Sequence, residues 1–401
     1  MRPRTLRDLS ADLSAQSRSY PHAHRQGAHL VGLPSWYAHR RYGLMAMLLI
    51  AVAILLSACQ PNGQSEDAAA QEKPGVLYLY NWDEYMPQQI LDNFELETGI
   101  SVISTTYDSN EEMYEHIKNA PNNPPYDLIV PSNYFIDRMH NQGLLQPIDK
   151  TKISNFEQLN PAIVGTDADP GNNYSIPYLW GTTGIAINAQ AIDPDKVNGW
   201  QDFWRPEYAG RLVLPNDMRE VFGMALISLG YSVNSENPEE VEQAYEKLLL
   251  LMPSLSAFPS GSTRTAYISN QADIGMIWSG EMMLAKAEGK KNLVYKYPAE
   301  GAILWIDSFA IPKNAQNIEA AHLFINFILR AENSQIISRN LGYATPNLGA
   351  RLFMSASTKA NTTLYPTAKQ FKNAHLQTAL SPETFALYEH YWTKLKQQQQ
   401  N

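Results

Sequence analysis

The 401-residue chain is 44% hydrophobic with 22 Gly and 25 Pro, enough apolar material for one large core or two ordinary ones, and in keeping with a loop-rich α/β protein. Its formal charge is −9, but residues 1–58 hold seven Arg against two Asp, a net +5, so the remainder carries −14. An acidic body suits a cationic ligand and argues against nucleic acid, and the single cysteine, Cys59, excludes an intramolecular disulfide and a cysteine-based metal cluster.

Arg40 and Arg41 precede the apolar run 43–56, too short to span a bilayer and of the length of a signal-peptide core. Leu56-Ser57-Ala58-Cys59 closes that run. The tetrapeptide resembles the lipobox of bacterial lipoproteins, which implies cleavage before Cys59 and lipidation of that residue. Residues 1–58 therefore read as leader and lipoprotein signal peptide. The part before Arg40 is long for the basic end of such a signal, and no second methionine occurs until Met45, which points either to a start site assigned too early or to a leader of no structural consequence. Residues 59–74, the lipidated cysteine followed by small and polar residues, read as a flexible tether.

Folding is expected to begin at Val76. Residues 76–80 are β-branched, apolar and aromatic, hence a strand, and run into Asn81-Trp82-Asp83-Glu84-Tyr85. Ile90, Leu91 and Phe94 share a helical face that ends near Gly99. Residues 101–105 read as a second strand, and Ser109 or Asn110 caps a helix with Met113 and Ile117 four apart. Residues 126–130 give a third strand, ending at Pro131-Ser132-Asn133-Tyr134. This alternation marks a parallel sheet with helical crossovers, in which ligands lie beyond the carboxyl ends of the strands. Trp82, Tyr85, Ser132 and Tyr134 fall at such ends.

Residues 174–184, extended and holding Gly181 and Gly184, read as a joint between two lobes. A second unit follows. Residues 212–214 form a short strand, Asp217-Met218-Arg219-Glu220 opens a helix containing Phe222, Met224, Ala225 and Leu226, and residues 238–251 form another helix. A strand over 272–278 ends at Trp278-Ser279-Gly280. The apolar stretch 302–312 reads as a buried strand returning to the first lobe, so that two crossings form a hinge. On it Trp305 and Asp307 share a face. A carboxylate amid apolar sequence needs a cation or hydrogen-bond donors, and Lys296 and Lys313 lie outside the strand. Either the missing cation is a ligand, or Asp307 sits at a strand end in water or on backbone N–H groups. Residues 317–330 form an amphipathic helix with Ala320, Leu323, Phe324, Phe327 and Ile328 on its face; the chain closes with a helix over 382–396 and a disordered tail, 397–401.

Each of these residues also has a plain structural reading. Asp217-x-x-Glu220 is a capping-box arrangement in which both acids serve the backbone. Trp278 and Trp305 suit an ordinary core, Tyr85 and Tyr134 suit surface turns, and Trp180 and Trp200 read as core or surface. Catalytic motifs are missing: no Gly-x-Ser-x-Gly, P-loop or His-Glu-x-x-His occurs, and His116, His140, His322, His375 and His390 stand alone. The enzymatic alternative is a glycoside hydrolase using Glu220 and Asp307 as its carboxylate pair, with tryptophans stacking on sugar. Iron binding would favour a tyrosine cluster.

Six blocks, Asn81-Trp82-x-x-Tyr85, Val130-Pro131-Ser132-x-Tyr134, Arg219-Glu220-Val221-Phe222, Gly275-Met276-Ile277-Trp278, Trp305-Ile306-Asp307-Ser308 and Gly342-Tyr343-x-Thr345-Pro346-Asn347, together resemble the periplasmic spermidine/putrescine-binding proteins of bacterial ABC importers, in lipoprotein form. The likeness extends in order over residues 75–396. It implies an α/β, type II-like, two-lobed fold with crossing hinge strands, lobe 1 being 75–181 plus 307–350 and lobe 2 being 182–306 plus 351–396. It implies that Trp82, Tyr85, Trp278 and Trp305 contact a polyamine's methylenes, that Asp217, Glu220 and Asp307 meet its amino groups, and that Ser132, Tyr134, Tyr343 and Gln377 make polar contacts. Asp83 stands where a small hydroxyl residue is expected, and either adds a site for an amine or faces solvent. Such a ligand alternates ammonium groups with short hydrocarbon segments, so carboxylates and aromatic faces suit it together. The resemblance further implies a monomer without catalysis, cofactor or metal, anchored in the periplasm or on the outer face of the cell membrane. It would hand its ligand to an inner-membrane ABC permease, or report it to a membrane signalling protein.

Overall fold

The computed structural model describes residues 75–120, 126–259 and 262–399. The leader, Cys59 and the tether lie outside the described residues. Strand β1 (Val76–Trp82) is flanked by β2 (Ser101–Tyr107) and β3 (Leu128–Ile129), parallel to both, in the order β2-β1-β3. The crossover helices form for reasons visible in the sequence. Helix Gln88–Thr98 buries Ile90, Leu91 and Phe94 and stops at Gly99, whose φ of 71° lies in the left-handed region that glycine adopts freely. Helix Asn110–Asn119 is capped by Ser109, which accepts from the Glu112 N–H, and it buries Met113 and Ile117. β2 runs past residue 105 to Tyr107, because Thr106 and Tyr107 still pair with Asn81 and Trp82. β3 is shorter than the expected 126–130, since only Leu128 and Ile129 pair with β1.

The remaining strands are β4 (Ile176–Asn188), β5 (Leu212–Val213), β6 (Leu255–Ala257), β7 (Ile274–Trp278), β8 (Leu293–Lys296), β9 (Ile303–Phe309) and β10 (His375–Leu376). They make a second sheet in the order β10-β9-β4-β7-β5-β6, with β8 also against β4. β4 and β9 run antiparallel, residues 176–183 beside 309–303. Just past β9, Ala310 bridges Ile129 of β3, and within β9 Asp307 bridges Ser132. β9 therefore joins one sheet to the other, with β4 paired beside it. The stretch read as an extended joint is a strand buried along all but its last residue, and its glycines serve close packing. A Cβ on Gly181 would lie 2.5 Å from the Trp305 ring, and one on Gly184 would lie 2.7 Å from the Tyr295 ring.

Helix Met218–Ser228 is buried on every side, Arg219 and Glu220 included, and apart from these and Ser228 its residues are apolar. Its Phe222 meets Tyr388 at 5.1 Å and Trp392 at 6.5 Å on the C-terminal helix. Around the first sheet, Phe94 packs edge-on against Phe324 and Phe327 at 5.0 and 5.3 Å. The C-terminal helix, Pro382–Gln399, continues past Lys396, where a disordered tail was expected from Gln397. Glutamine is a good helix former and no Gly or Pro interrupts the run. Trp180 and Trp200 are both core, and the Trp200 Nε1 donates to the Gly301 carbonyl at 2.8 Å. No helix of the described residues is long and apolar enough to cross a membrane.

Candidate functional site

Trp82, Asp83, Tyr85, Ser132, Tyr134, Asp217, Glu220, Trp278, Trp305, Asp307, Tyr343 and Gln377 all line one cavity of about 160 Å³. Its walls come from the carboxyl ends of β1, β2, β3 and β7, from β9, and from the start of helix Met218–Ser228. This is the placement that strand-end logic requires for a parallel crossover sheet. No Lys, Arg or His lines it.

Asp307 is 6% exposed and has no cationic partner among the described residues. Ser132 Oγ donates to its Oδ1 at 2.7 Å and the Tyr85 hydroxyl to its Oδ2 at 2.8 Å. These donors do not outweigh burial, which pushes the carboxyl up from 3.8 to about 7. Ser132 is itself fixed by Asn110, whose Nδ2 donates to Oγ at 3.1 Å and whose Oδ1 accepts from the Ser132 N–H at 3.0 Å. Asn110 Nδ2 also donates to the Tyr134 hydroxyl at 2.9 Å. The helix Asn110–Asn119 thus holds two of the expected polar contacts in place.

Asp217 caps helix Met218–Ser228, its Oδ1 accepting from the Glu220 N–H at 2.9 Å. The capping reading therefore holds for Asp217 but leaves the Glu220 side chain unexplained. Glu220 is buried, accepts from Thr183 Oγ1 at 2.9 Å, and has no hydrogen-bond partner at Oε2 among the described residues. Burial first, and then Asp217, hold its carboxyl well above the ordinary range; burial raises Asp217 as well. Arg219, the basic residue next in sequence, turns away to the Thr378 carbonyl and Asn234 Oδ1 at 3.1 and 2.9 Å.

The aromatic walls are anchored from behind. Trp82 Nε1 donates to the Val130 carbonyl at 2.9 Å, and its ring lies 4.7 Å from that of Tyr107. Tyr343 packs 5.3 Å from Tyr85 and 5.4 Å from Trp305, both edge-on, and lies against Gly280, where a Cβ would come within 2.3 Å of the ring. Trp305 Nε1 and Gln377 Nε2 are buried without a partner among the described residues. Asp83 is exposed at the rim.

The chain matches, over residues 89–367, the family described as bacterial extracellular solute-binding protein. It belongs to that family. This solute-binding protein is 45% identical over 329 residues to the spermidine/putrescine-binding periplasmic protein of Escherichia coli K12, covering 82% of this chain and 94% of the other. It is similar to the solved structure of the spermidine/putrescine ABC transporter substrate-binding protein PotD of Streptococcus pneumoniae, with TM-score 0.69 and 36% identity over 80% of this chain and 99% of that one. The solved lipoprotein Tp0655 (TpPotD) of Treponema pallidum gives TM-score 0.71 and 30% identity over the same shares. The fold is that of two-lobed periplasmic substrate-binding proteins, and the relatives are transport proteins, which sets the glycoside-hydrolase alternative aside.

Sequence reasoning about this solute-binding protein missed Glu84, Tyr107, Asp108, Asn216, Ser262, Glu281 and Leu284, which also line the cavity. Tyr107 and Asp108 stand at the end of β2, so the rule that found Trp82 and Ser132 would have found them once the strand was read two residues longer. Glu281 carried no signal: it lies in the first turn of the helix Ser279–Ala287 that follows Trp278. It is 7% exposed, and burial pushes its carboxyl up to about 7. Glu84 has φ 50°, the left-handed region that costs an ordinary residue roughly 1–2 kcal/mol. Tyr343 ties these groups to the rest. Its phenol is raised by burial, then by Glu281, then by Asp307. Among the described residues, no group of three or more His, Cys, Asp or Glu is placed to hold a metal ion.

Proposed function

We propose that this protein captures a linear polyamine of the spermidine/putrescine kind between its two lobes and delivers it to an ABC importer. The observation that carries the reading is a cavity that gathers buried Glu220, Glu281 and Asp307 beside half-buried Asp217 while presenting no Lys, Arg or His of its own. Asp307 and Glu220 form no ion pair among the described residues, so their compensating positive charge must come from the guest. Ammonium groups meet Asp307 and the Asp217–Glu220 pair through charge-assisted hydrogen bonds, and the methylenes between them lie on the faces of Trp82, Tyr85, Trp278 and Trp305. Ser132, Tyr134, Tyr343 and Gln377 complete the polar contacts, and Asp83 adds charge at the entrance. The names of the relatives support the same ligand class.

With lobes drawn at 75–181 plus 307–350 and 182–306 plus 351–396, closure is a bend at β4 and β9. Lipidation of Cys59 and the tether to residue 74 hold the monomeric protein on the periplasmic or outer face of the membrane, as supported by the Treponema relative's description as a lipoprotein. The test is a tryptophan-fluorescence titration of ligand-stripped protein with putrescine, spermidine, spermine, sugars and amino acids. Saturable signals with the amines alone are expected. Saturation by a sugar, or silence with every amine, overturns the reading.

A further inference from the structure

One edge of β9 changes partner beside the ligand site, and a side chain fills the gap. Up to Leu304 this edge runs parallel to β10: the His375 N–H donates to the Ala302 carbonyl at 2.9 Å and the Gln377 N–H to the Leu304 carbonyl at 3.3 Å. From Ser308 it runs antiparallel to the chain around β3. There the Ser308 N–H donates to the Pro131 carbonyl at 3.0 Å and the Ala310 N–H to the Ile129 carbonyl at 2.9 Å. The next rung of the parallel ladder would join the Ile306 N–H to the Gln377 carbonyl. Asn133 stands in that place. Its Oδ1 accepts from the Ile306 N–H at 3.2 Å, and its Nδ2 donates to the Gln377 carbonyl at 2.5 Å. An N–H only donates and a carbonyl only accepts, so the two partners fix which way the carboxamide points.

Asn133 is 3% exposed, stands first in the helix Asn133–Asn141, and does not line the cavity. Its partners bear on the cavity directly. Ile306 lies between Trp305 and Asp307, and Gln377 is itself a lining residue. A direct rung would hold residue 377 about 4.8 Å from β9, whereas the inserted carboxamide spaces the two apart by its own width. It also satisfies two buried backbone groups that would otherwise be orphaned. From the far side Asn234 grips the same segment, its Nδ2 donating to the Leu376 carbonyl at 2.9 Å and its Oδ1 accepting from the Thr378 N–H at 2.8 Å. With the lobes drawn as above, Asn133 belongs to lobe 1 and Gln377 to lobe 2, and the boundary on β9 falls between Ile306 and Asp307.

We propose that Asn133 is a positioning residue for ligand binding: its carboxamide replaces one rung of β9, pins lobe 1 to the segment after β10, and so sets Gln377 in the cavity wall without touching the guest. The inference rests on the polyamine reading above and adds to it a residue outside the cavity. If Asn133 served stability alone, its loss would lower the melting temperature and leave the contribution of Gln377 to affinity as it was.

The test is a double-mutant cycle read by calorimetric titration with spermidine at pH 8, on ligand-stripped wild type, Asn133→Leu, Gln377→Ala and the double variant. Gln377→Ala is expected to weaken spermidine by about fivefold or more in the wild-type background and by less than twofold beside Asn133→Leu. The same factor in both backgrounds overturns the proposal, as does a Gln377→Ala protein that binds like wild type, since Asn133 would then have no contact to position. Asn133→Asp, of nearly the same shape, is the second variant if the leucine protein does not fold. Ionised, it keeps the acceptor for the Ile306 N–H and loses the donor to Gln377, and Gln377→Ala should again cost less than twofold beside it; an undiminished cost overturns the proposal. A wild type that binds no amine sinks the polyamine reading itself, an outcome distinct from binding with no coupling between the two residues.

Discussion

Asp307→Asn separates the affinity of the site from the stability of the protein that carries it. In the ligand-free protein burial pushes the Asp307 carboxyl up to about 7, against 3.8 for an ordinary aspartate. The folded state therefore holds this proton more tightly than the unfolded chain does. The resulting stabilisation is complete below the unfolded value and lost as pH rises through about 7. At pH 8 the ionised, buried carboxylate costs the empty protein on the order of 4 kcal/mol relative to acid. Asparagine cannot ionise, so the substitution removes that cost. It forfeits part of the hydrogen bonding from Ser132 and Tyr85, about 1 kcal/mol. Ligand-free Asp307→Asn should therefore be more stable than wild type by roughly 2–3 kcal/mol at pH 8, and equal to it near pH 5. The same substitution should weaken spermidine by about 2 kcal/mol or more, since an ammonium loses its charged partner. Urea unfolding of stripped protein at the two pH values, with calorimetry alongside, reads both effects. A variant less stable than wild type at pH 8, or one binding spermidine unchanged, refutes the reasoning.

Ligand affinity should fall by about tenfold or more between pH 8 and pH 5.5, because protonated Asp307 cannot pair with an ammonium that stays charged throughout. Binding at pH 7 should release protons, measured as a buffer-dependent calorimetric enthalpy; proton uptake would contradict the assignment. Tyr85→Phe, which deletes the 2.8 Å donor to Asp307 Oδ2, should weaken spermidine by about 1 kcal/mol and move the affinity midpoint to higher pH. Gly181→Ala forces a methyl to within 2.5 Å of the Trp305 ring and 2.7 Å of Ser279 Oγ, and should destabilise the protein by about 1–3 kcal/mol while weakening spermidine. Wild-type melting and affinity in that variant would show that the contact is relieved cheaply.

Strand ends and residue alternation made much of the site legible. Trp82 and Ser132 follow runs whose β character is local, and Trp305 and Asp307 share a face by the two-residue repeat alone. What stayed hidden depends on contacts far along the chain. Gln377 is named through the resemblance alone, since it reaches the cavity because β10 pairs with β9, a partnership of only two residue pairs with no local sequence signal. Glu281 sits in a helix too apolar and too short to advertise one inward acid. Gly181 and Gly184 looked like looseness, because a glycine making room for an aromatic ring and a glycine permitting a bend are the same letter.

The acids around the cavity oppose one another while it lacks a guest. Asp217 raises both Glu220 and Asp307, and Asp307 raises Glu220. Such a set is least costly when the lobes part and water reaches the carboxylates, since burial is the first cause of each shift. A guest with several ammonium groups reverses the balance by allowing the same carboxylates to be buried ionised. On the reading proposed above, closure at β4 and β9 is driven by charge that the ligand brings, and the aromatic walls select for shape among guests that already carry it. A neutral molecule of the same length fills the space between the rings without lowering the cost of bringing the acids together. Specificity for polycations and the closing motion thus arise from one physical source, the desolvation of unpaired carboxylates.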